Sequence, residues 1–245
     1  MERSPALGNL KAALGAGALA GMALAIFHFM ATEPVLEEAI RLEEALPHLH
    51  MEVFPRSVQR LGLFGGSFIY GLSWGLIFAG VYTLLESQLP GRRPWQKGAV
   101  LALAALWAVA LLPLLKFPPN PPGGTGSEDT VTTRQVRFAL FALASALALF
   151  GIWRIVGFLK LIPFWARGMA FVTLYALACC LLVFLVPNAN DPIPGQLKEL
   201  VPRFRILAVG GTILFWLLLG GAFGPFHIAF AKPEATARRG ASGPR

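Results

Sequence analysis

The chain has 245 residues, 56% of them hydrophobic and 14% charged, with a mean hydropathy of +0.62; a water-soluble domain, in which about 25% of residues are charged, is excluded. A formal net charge of +8 and a pI near 10.1 would favour nucleic acid in a soluble chain, but here the basic residues flank long apolar stretches, so the expected partner is a lipid bilayer and no nucleic acid. At this length the short connections leave room for a single transmembrane helical domain, residues 1–231, and no separate soluble one.

Six stretches lack Lys, Arg, Asp and Glu: residues 12–31, 61–85, 98–115, 138–153, 168–187 and 206–231. A helix needs about 20 apolar residues to cross a hydrocarbon core about 30 Å thick, and in lipid every backbone amide must find its partner within the segment. The expected fold class is all-α: a polytopic membrane helical bundle with spans near 12–31, 61–85, 98–115, 138–155, 168–187 and 206–225.

The first stretch follows Arg3 and Lys11, as a signal peptide would, but its apolar run exceeds the roughly 7–15 residues of a cleavable segment, so it reads as a retained helix. His28 lies inside it near the outer end, followed by Met30, Thr32 and Glu33; an ionisable group at that depth is costly and marks a candidate site. Val35, Ala39, Leu42 and Leu46 then recur at helical spacing beside Glu37, Glu38, Arg41 and Glu44, which predicts a short amphipathic helix lying on the membrane and ended by Pro47. In His48-Leu49-His50-Met51-Glu52, alternate residues of an extended segment share a face, so His48, His50 and Glu52 would converge. Imidazole and carboxylate together suit borderline divalent metals such as Co²⁺, Ni²⁺ or Zn²⁺, and the imidazole must be neutral, so capture should weaken below about pH 6.5.

Further along, Gly17 and Gly21, Gly71 and Gly75, and Gly220 and Gly224 have the four-residue spacing that lets membrane helices approach closely. Pro113 interrupts the hydrogen-bond ladder of the third span, and Pro225 is expected to bend or stop the sixth. The fourth span is the shortest, and Arg137 and Arg154 can snorkel from its ends. Cys179 and Cys180 in the fifth read as small apolar groups, and His227 as an interfacial residue. Two outer connections, 117–124 and 186–192, are rich in Pro and Asn; proline fixes φ, so these are expected to form stiff caps that offer Asn120, Asn190 and Asp191 at the outer mouth. Residues 232–245 lack large apolar side chains and are expected to form a disordered cytoplasmic tail.

With both termini in the cytoplasm, a modest majority of the 21 basic residues lies inside, and of the 13 acidic residues only Glu2, Glu86 and Glu234 do. The outer face is then acidic, which suits attraction of cations. No Gly-x-x-x-x-Gly-Lys-Ser/Thr, His-Glu-x-x-His or Gly-x-Ser-x-Gly motif occurs, and the span serines Ser67, Ser73 and Ser145 have no evident base. Neither an ATP motor nor an enzyme is expected, and no catalytic residue is assigned.

Three stretches form a pattern: Ser57-Val58-Gln59-Arg60-Leu61-Gly62 after the acidic loop; Leu115-Lys116-Phe117-Pro118-Pro119-Asn120-Pro121-Pro122 with Asp129-Thr130 and Arg134; and Pro187-Asn188-Ala189-Asn190-Asp191 with Arg203-Phe204-Arg205. Together they resemble the CbtA family, the predicted A subunit of a cobalt transporter, over nearly the whole chain. The resemblance implies a multi-pass protein of the prokaryotic inner membrane, linked to cobalamin supply, that transports Co²⁺, holds no permanent cofactor and acts with a small single-span, histidine-carrying CbtB-like subunit. On this reading Glu33, Glu43, Glu44, His48, His50 and Glu52 gather cations, and His28, Asn120, Asn190 and Asp191 line the way in. The rival reading is a membrane scaffold or assembly protein that transports nothing. Topology reporters fused after Glu86, Lys160 and Lys232 should all read cytoplasm; a periplasmic signal at Lys232 would mean five spans.

Overall fold

Lipid offers the backbone no hydrogen-bond partner except its own carbonyls, and the chain accordingly coils almost throughout. The computed structural model describes residues 5–44, 54–121, 128–188 and 193–241, of which 87% are helical and none are in strands. Helix α1 (Pro5–Phe27) passes through a π-turn (His28–Thr32) into α2 (Glu33–Glu44), and α3 (Arg56–Leu85) follows. Next come α4 (Pro94–Ala105), a second π-turn (Leu106–Leu111) and α5 (Leu112–Lys116), then α6 (Glu128–Phe158) and α7 (Phe164–Leu185). A 3₁₀ turn (Gly195–Leu197) leads to α8 (Leu200–Ala241). Prolines mark several starts: Pro94 opens α4, and Pro55 and Pro163 immediately precede α3 and α7, where a missing N–H costs nothing. Among the described residues six helical segments are long and apolar enough to cross a bilayer: Ala6–Leu42, Arg56–Leu85, Pro94–Lys116, Val131–Phe158, Phe164–Leu185 and Leu200–Phe230.

Two local expectations change. Pro225 does not end the sixth span, because α8 continues through it. The amphipathic segment does not lie apart on the membrane either. It continues α1, and Val35 and Ala39 are buried against Leu197 and Leu200, with Leu42, Ile193, Phe204 and Leu207 packed around them. Its apolar stripe is satisfied by protein rather than by lipid.

The sequence reading treats residues 1–231 as one domain; contacts group the chain into two compact units. The first draws on Met1–Glu33, Leu49–Ala104 and Gly210–Arg245. Its centre is the crossing of α1 with α3. A Cβ placed on Gly17 would sit 2.2 Å from the Gly71 carbonyl oxygen, and one on Gly71 2.2 Å from that of Gly17. Gly21 faces the Ser67 carbonyl and Gly75 that of Ala13 in the same way, at 2.3 and 2.6 Å. Ala12, Ala13, Ala16, Ala20 and Ala25 are fully buried beside this contact. Association in lipid lacks a hydrophobic drive and relies on close packing, which these small residues permit. Helix α8 is held to α3 by an aromatic ladder: Tyr70 with Phe215 (5.1 Å between ring centres), Trp74 with Trp216 (5.0 Å) and Tyr82 with Phe223 (4.6 Å). Such pairs add about 0.5–1.5 kcal/mol each beyond their buried area.

The second unit comprises Pro34–His48 and Ala105–Val209. Leu112, Phe117 and Phe141 form a core, joined by Phe138, Cys179, Leu182 and Val186, with Phe117 edge-on to Phe141 at 5.8 Å. Ser145, fully buried on α6, shares a 3.0 Å hydrogen bond with the Tyr175 hydroxyl on α7. The other faces of α7 carry Phe164, Trp165, Leu177 and Phe184 largely exposed, as a lipid-facing helix requires.

Replacing Gly17 or Gly71 by Val pushes a side chain into backbone and should destabilise the protein by at least about 1–3 kcal/mol. Gly66→Ala, where no atom stands within 4 Å of the added methyl, should be close to neutral. Thermal unfolding of the purified variants in detergent measures both.

Candidate functional site

The candidate site begins with Pro34. Its ring lacks an N–H and would strike the carbonyl of Met30 in a regular helix. The preceding turn widens instead, and the Glu33 N–H donates to the His28 carbonyl, five residues back. The same device precedes Pro113, where Leu112 N–H donates to the Trp107 carbonyl. Isolated π-turns of this kind are concentrated at functional positions.

Within the first π-turn, His28 Nδ1 lies 2.8 Å from Thr32 Oγ1, and Thr32 is buried. The far edge of the ring rests on the backbone of Gly211 in α8: an added Cβ there would be 2.8 Å from Cε1 and 2.9 Å from Nε2. Phe27 meets the ring edge-on at 5.5 Å. The imidazole is therefore fixed in orientation from three sides.

Glu33 is only 8% exposed, and its Oε1 accepts from Arg56 Nη2 at 2.7 Å and Arg60 Nε at 3.0 Å. Arg56 and Arg60 stand one turn apart at the start of α3, on one face. Two guanidinium groups hold the one carboxylate. A cation that reached Glu33 would have to displace at least one of them, so the arrangement is an occupied carboxylate that can exchange partners rather than a bare ligand.

In the second unit, Asn120 Oδ1 accepts from Arg205 Nη2 at 2.8 Å, while Arg205 Nε donates to the Pro119 carbonyl at 3.2 Å. Arg134 donates to the Pro118 carbonyl. Lys116 Nζ donates to the Val183 carbonyl and to Asn188 Oδ1, both at 2.6 Å. Proline cannot donate, so a Pro-rich cap exposes carbonyls, and the basic side chains gather them. Asn120 and Arg134 also border a mainly apolar cavity of about 380 Å³ with Leu114, Phe117, Val131 and Phe138.

Of the site residues read from sequence, His28 and Glu33 lie together at one end of α1, and Asn120 lies in the other unit. His48, His50, Glu52, Asn190 and Asp191 lie outside the described residues. Among the described residues, no group of three or more His, Cys, Asp or Glu is placed to hold a metal. Sequence reasoning missed Thr32 as the partner of His28, although an i,i+4 spacing was visible, and missed Arg56 and Arg60 as the partners of Glu33. For the arginines the available signal was their own i,i+4 spacing next to an acidic segment.

Glu33→Ala removes the carboxylate from two partly buried guanidinium groups and should cost about 1–3 kcal/mol. Arg60→Ala, at a side chain that is 41% exposed, should cost less than about 1 kcal/mol. Denaturant unfolding of each purified variant checks the difference.

A family model described as "Probable cobalt transporter subunit (CbtA)" matches residues 9–227. No curated protein and no solved structure matches the chain. The matched region takes in nearly all of the six membrane-spanning helices, from the first turns of α1 to the Phe223–His227 stretch of α8, and the chain belongs to the CbtA family of probable cobalt transporter subunits.

Proposed function

We propose that this multi-pass subunit admits Co²⁺ from the outer face along the His28–Glu33 end of α1, driven by the membrane potential and serving cobalamin supply. The observation that carries the reading is the π-turn ahead of Pro34, which holds an oriented imidazole and an arginine-paired carboxylate at one end of a membrane helix. Imidazole nitrogen with carboxylate oxygen is a donor set suited to borderline divalent cations. Thr32 Oγ1 can accept the Nδ1 proton, and Nε2, which lies against Gly211, would bind the ion once the ring moves off that backbone. Glu33 supplies the negative charge once an incoming cation replaces Arg56 or Arg60.

On this reading Glu43, Glu44, His48, His50 and Glu52 gather cations before they reach His28, and the Asn120 and Asn190-Asp191 caps shape the outer mouth. An ion moving inward gains about 2.3 kcal/mol per charge per 100 mV, which suits a chain with no ATP-binding motif. The chain is a subunit, and its proposed partner is a small single-span, histidine-carrying protein in the same prokaryotic inner membrane. Both termini are assigned to the cytoplasm, and the protein carries no resident cofactor and catalyses no reaction.

The test is uptake of radioactive cobalt by whole cells that express the subunit with its small partner. His28→Ala should abolish uptake, whereas His48→Ala with His50→Ala should raise the cobalt concentration needed for half-maximal rate by about tenfold. Wild-type uptake from all the variants would reject this route. Absence of cobalt uptake by the wild type would favour a scaffold.

A further inference from the structure

At the opposite end of α1 from His28, a second polar centre joins three helices of the first unit. Asn9 is 2% exposed; its Nδ2 donates to Thr83 Oγ1 at 3.2 Å and to Glu86 Oε2 at 3.4 Å, at the end of α3. Its Oδ1 lies 3.1 Å from His227 Nε2 on α8. Tyr82, one turn before Glu86, is fully buried between Phe78 and Phe223, and Phe223 in turn packs on the His227 ring at 5.7 Å. The Tyr82 hydroxyl is buried with no hydrogen-bond partner among the described residues, although it lies within electrostatic reach of the Glu86 carboxylate. A buried hydroxyl left unpaired is costly and asks for an explanation.

We propose that Asn9, Glu86 and His227 form a second divalent-cation site, completed by the Tyr82 hydroxyl. Two ligand atoms at adjacent corners of an octahedral shell, each about 2.1 Å from the ion, stand about 3 Å apart. The amide oxygen of Asn9 and the Nε2 of His227, at 3.1 Å, already have that separation. In the ion-free arrangement a proton on Nε2 occupies the place between them. When the ion enters, the ring takes a proton at Nδ1 as it gives up the one at Nε2, so it stays neutral and its charge does not change. Glu86 contributes the anionic ligand, and the Tyr82 hydroxyl donates to a water that the ion brings with it. A nitrogen, an amide oxygen and a carboxylate favour Co²⁺, Ni²⁺ or Zn²⁺ over soft Cu(I). The site rests on the reading that this subunit handles divalent cations, but none of its residues belongs to the His28–Glu33 end.

The test uses full-length protein purified with a histidine-free tag, in a His28→Ala, His48→Ala, His50→Ala background that removes the outer imidazoles. Co²⁺ is titrated by isothermal calorimetry and by its visible ligand-field absorption. The background protein should bind Co²⁺, and adding Glu86→Gln or His227→Gln should weaken binding by at least about tenfold. Glutamine at 86 keeps an oxygen for the Asn9 amide, so a purely structural network would survive that change with unaltered affinity and melting temperature. No Co²⁺ binding by the background protein, or equal binding after both substitutions, overturns the proposal. Failure of the outer route shows separately, as undiminished uptake by His28→Ala cells whose Glu86 and His227 are intact.

Discussion

The backbone contact between α1 and α3 is the constraint on which the first unit depends. Gly17 against Gly71, Gly21 against Ser67 and Gly75 against Ala13 run in opposite directions along the two helices, so they set an antiparallel register. That register then determines what meets at each end. It carries Glu33 to Arg56 and Arg60 at one end, and Asn9 to Thr83 and Glu86 at the other. No side chain stands between the helix axes at the crossing, so an added methyl cannot be absorbed by a rotamer change. The two polar centres of this unit are consequences of one small-residue seam.

Proline shapes the helices more than it breaks them. Pro34 and Pro113 each follow a π-turn in which the residue before the proline donates five residues back, so the ladder is re-registered and the ring finds room. Helix α8 likewise runs on through Pro225. In all three cases the helix continues. The cost of the missing donor is local, and the widened turns rotate the side chains that follow. At His28–Thr32 the widened turn holds the His28 ring 2.8 Å from the Thr32 hydroxyl. At Leu106–Leu111 it leads into Leu112, Pro113 and the core around Phe117.

Basic side chains have a structural task here that net charge conceals. Arg56 and Arg60 neutralise Glu33, Arg134 and Arg205 bind proline carbonyls, and Lys116 joins the end of α7 to Asn188. A Pro-rich segment has acceptors and few donors, and Arg and Lys have donors and no acceptor. Pairing the two lets irregular backbone stand at the end of a span with its carbonyls satisfied. Two of the basic side chains, Arg134 and Arg205, bind the carbonyls of Pro118 and Pro119.

The membrane class, the six spans and the family were legible from sequence, because lipid excludes every backbone solution except the helix and uncharged runs of span length are easily recognised. The glycine spacings announced close packing, and His28 stood out because an ionisable side chain within a span is rare. Which groups pair was not legible. Glu33 and Arg56 are 23 residues apart, Asn120 and Arg205 are 85 apart, and Asn9 and His227 are 218 apart; helical periodicity carries no information over such separations. For the same reason the apolar stripe of Val35 and Ala39 looked ready for lipid, although Leu197 and Leu200 cover it. The sequence by itself determined that the chain spans a membrane and where. Only the tertiary structure decided which polar groups meet, because partner choice depends on how closely two backbones can approach, and that is a property of the pair of helices.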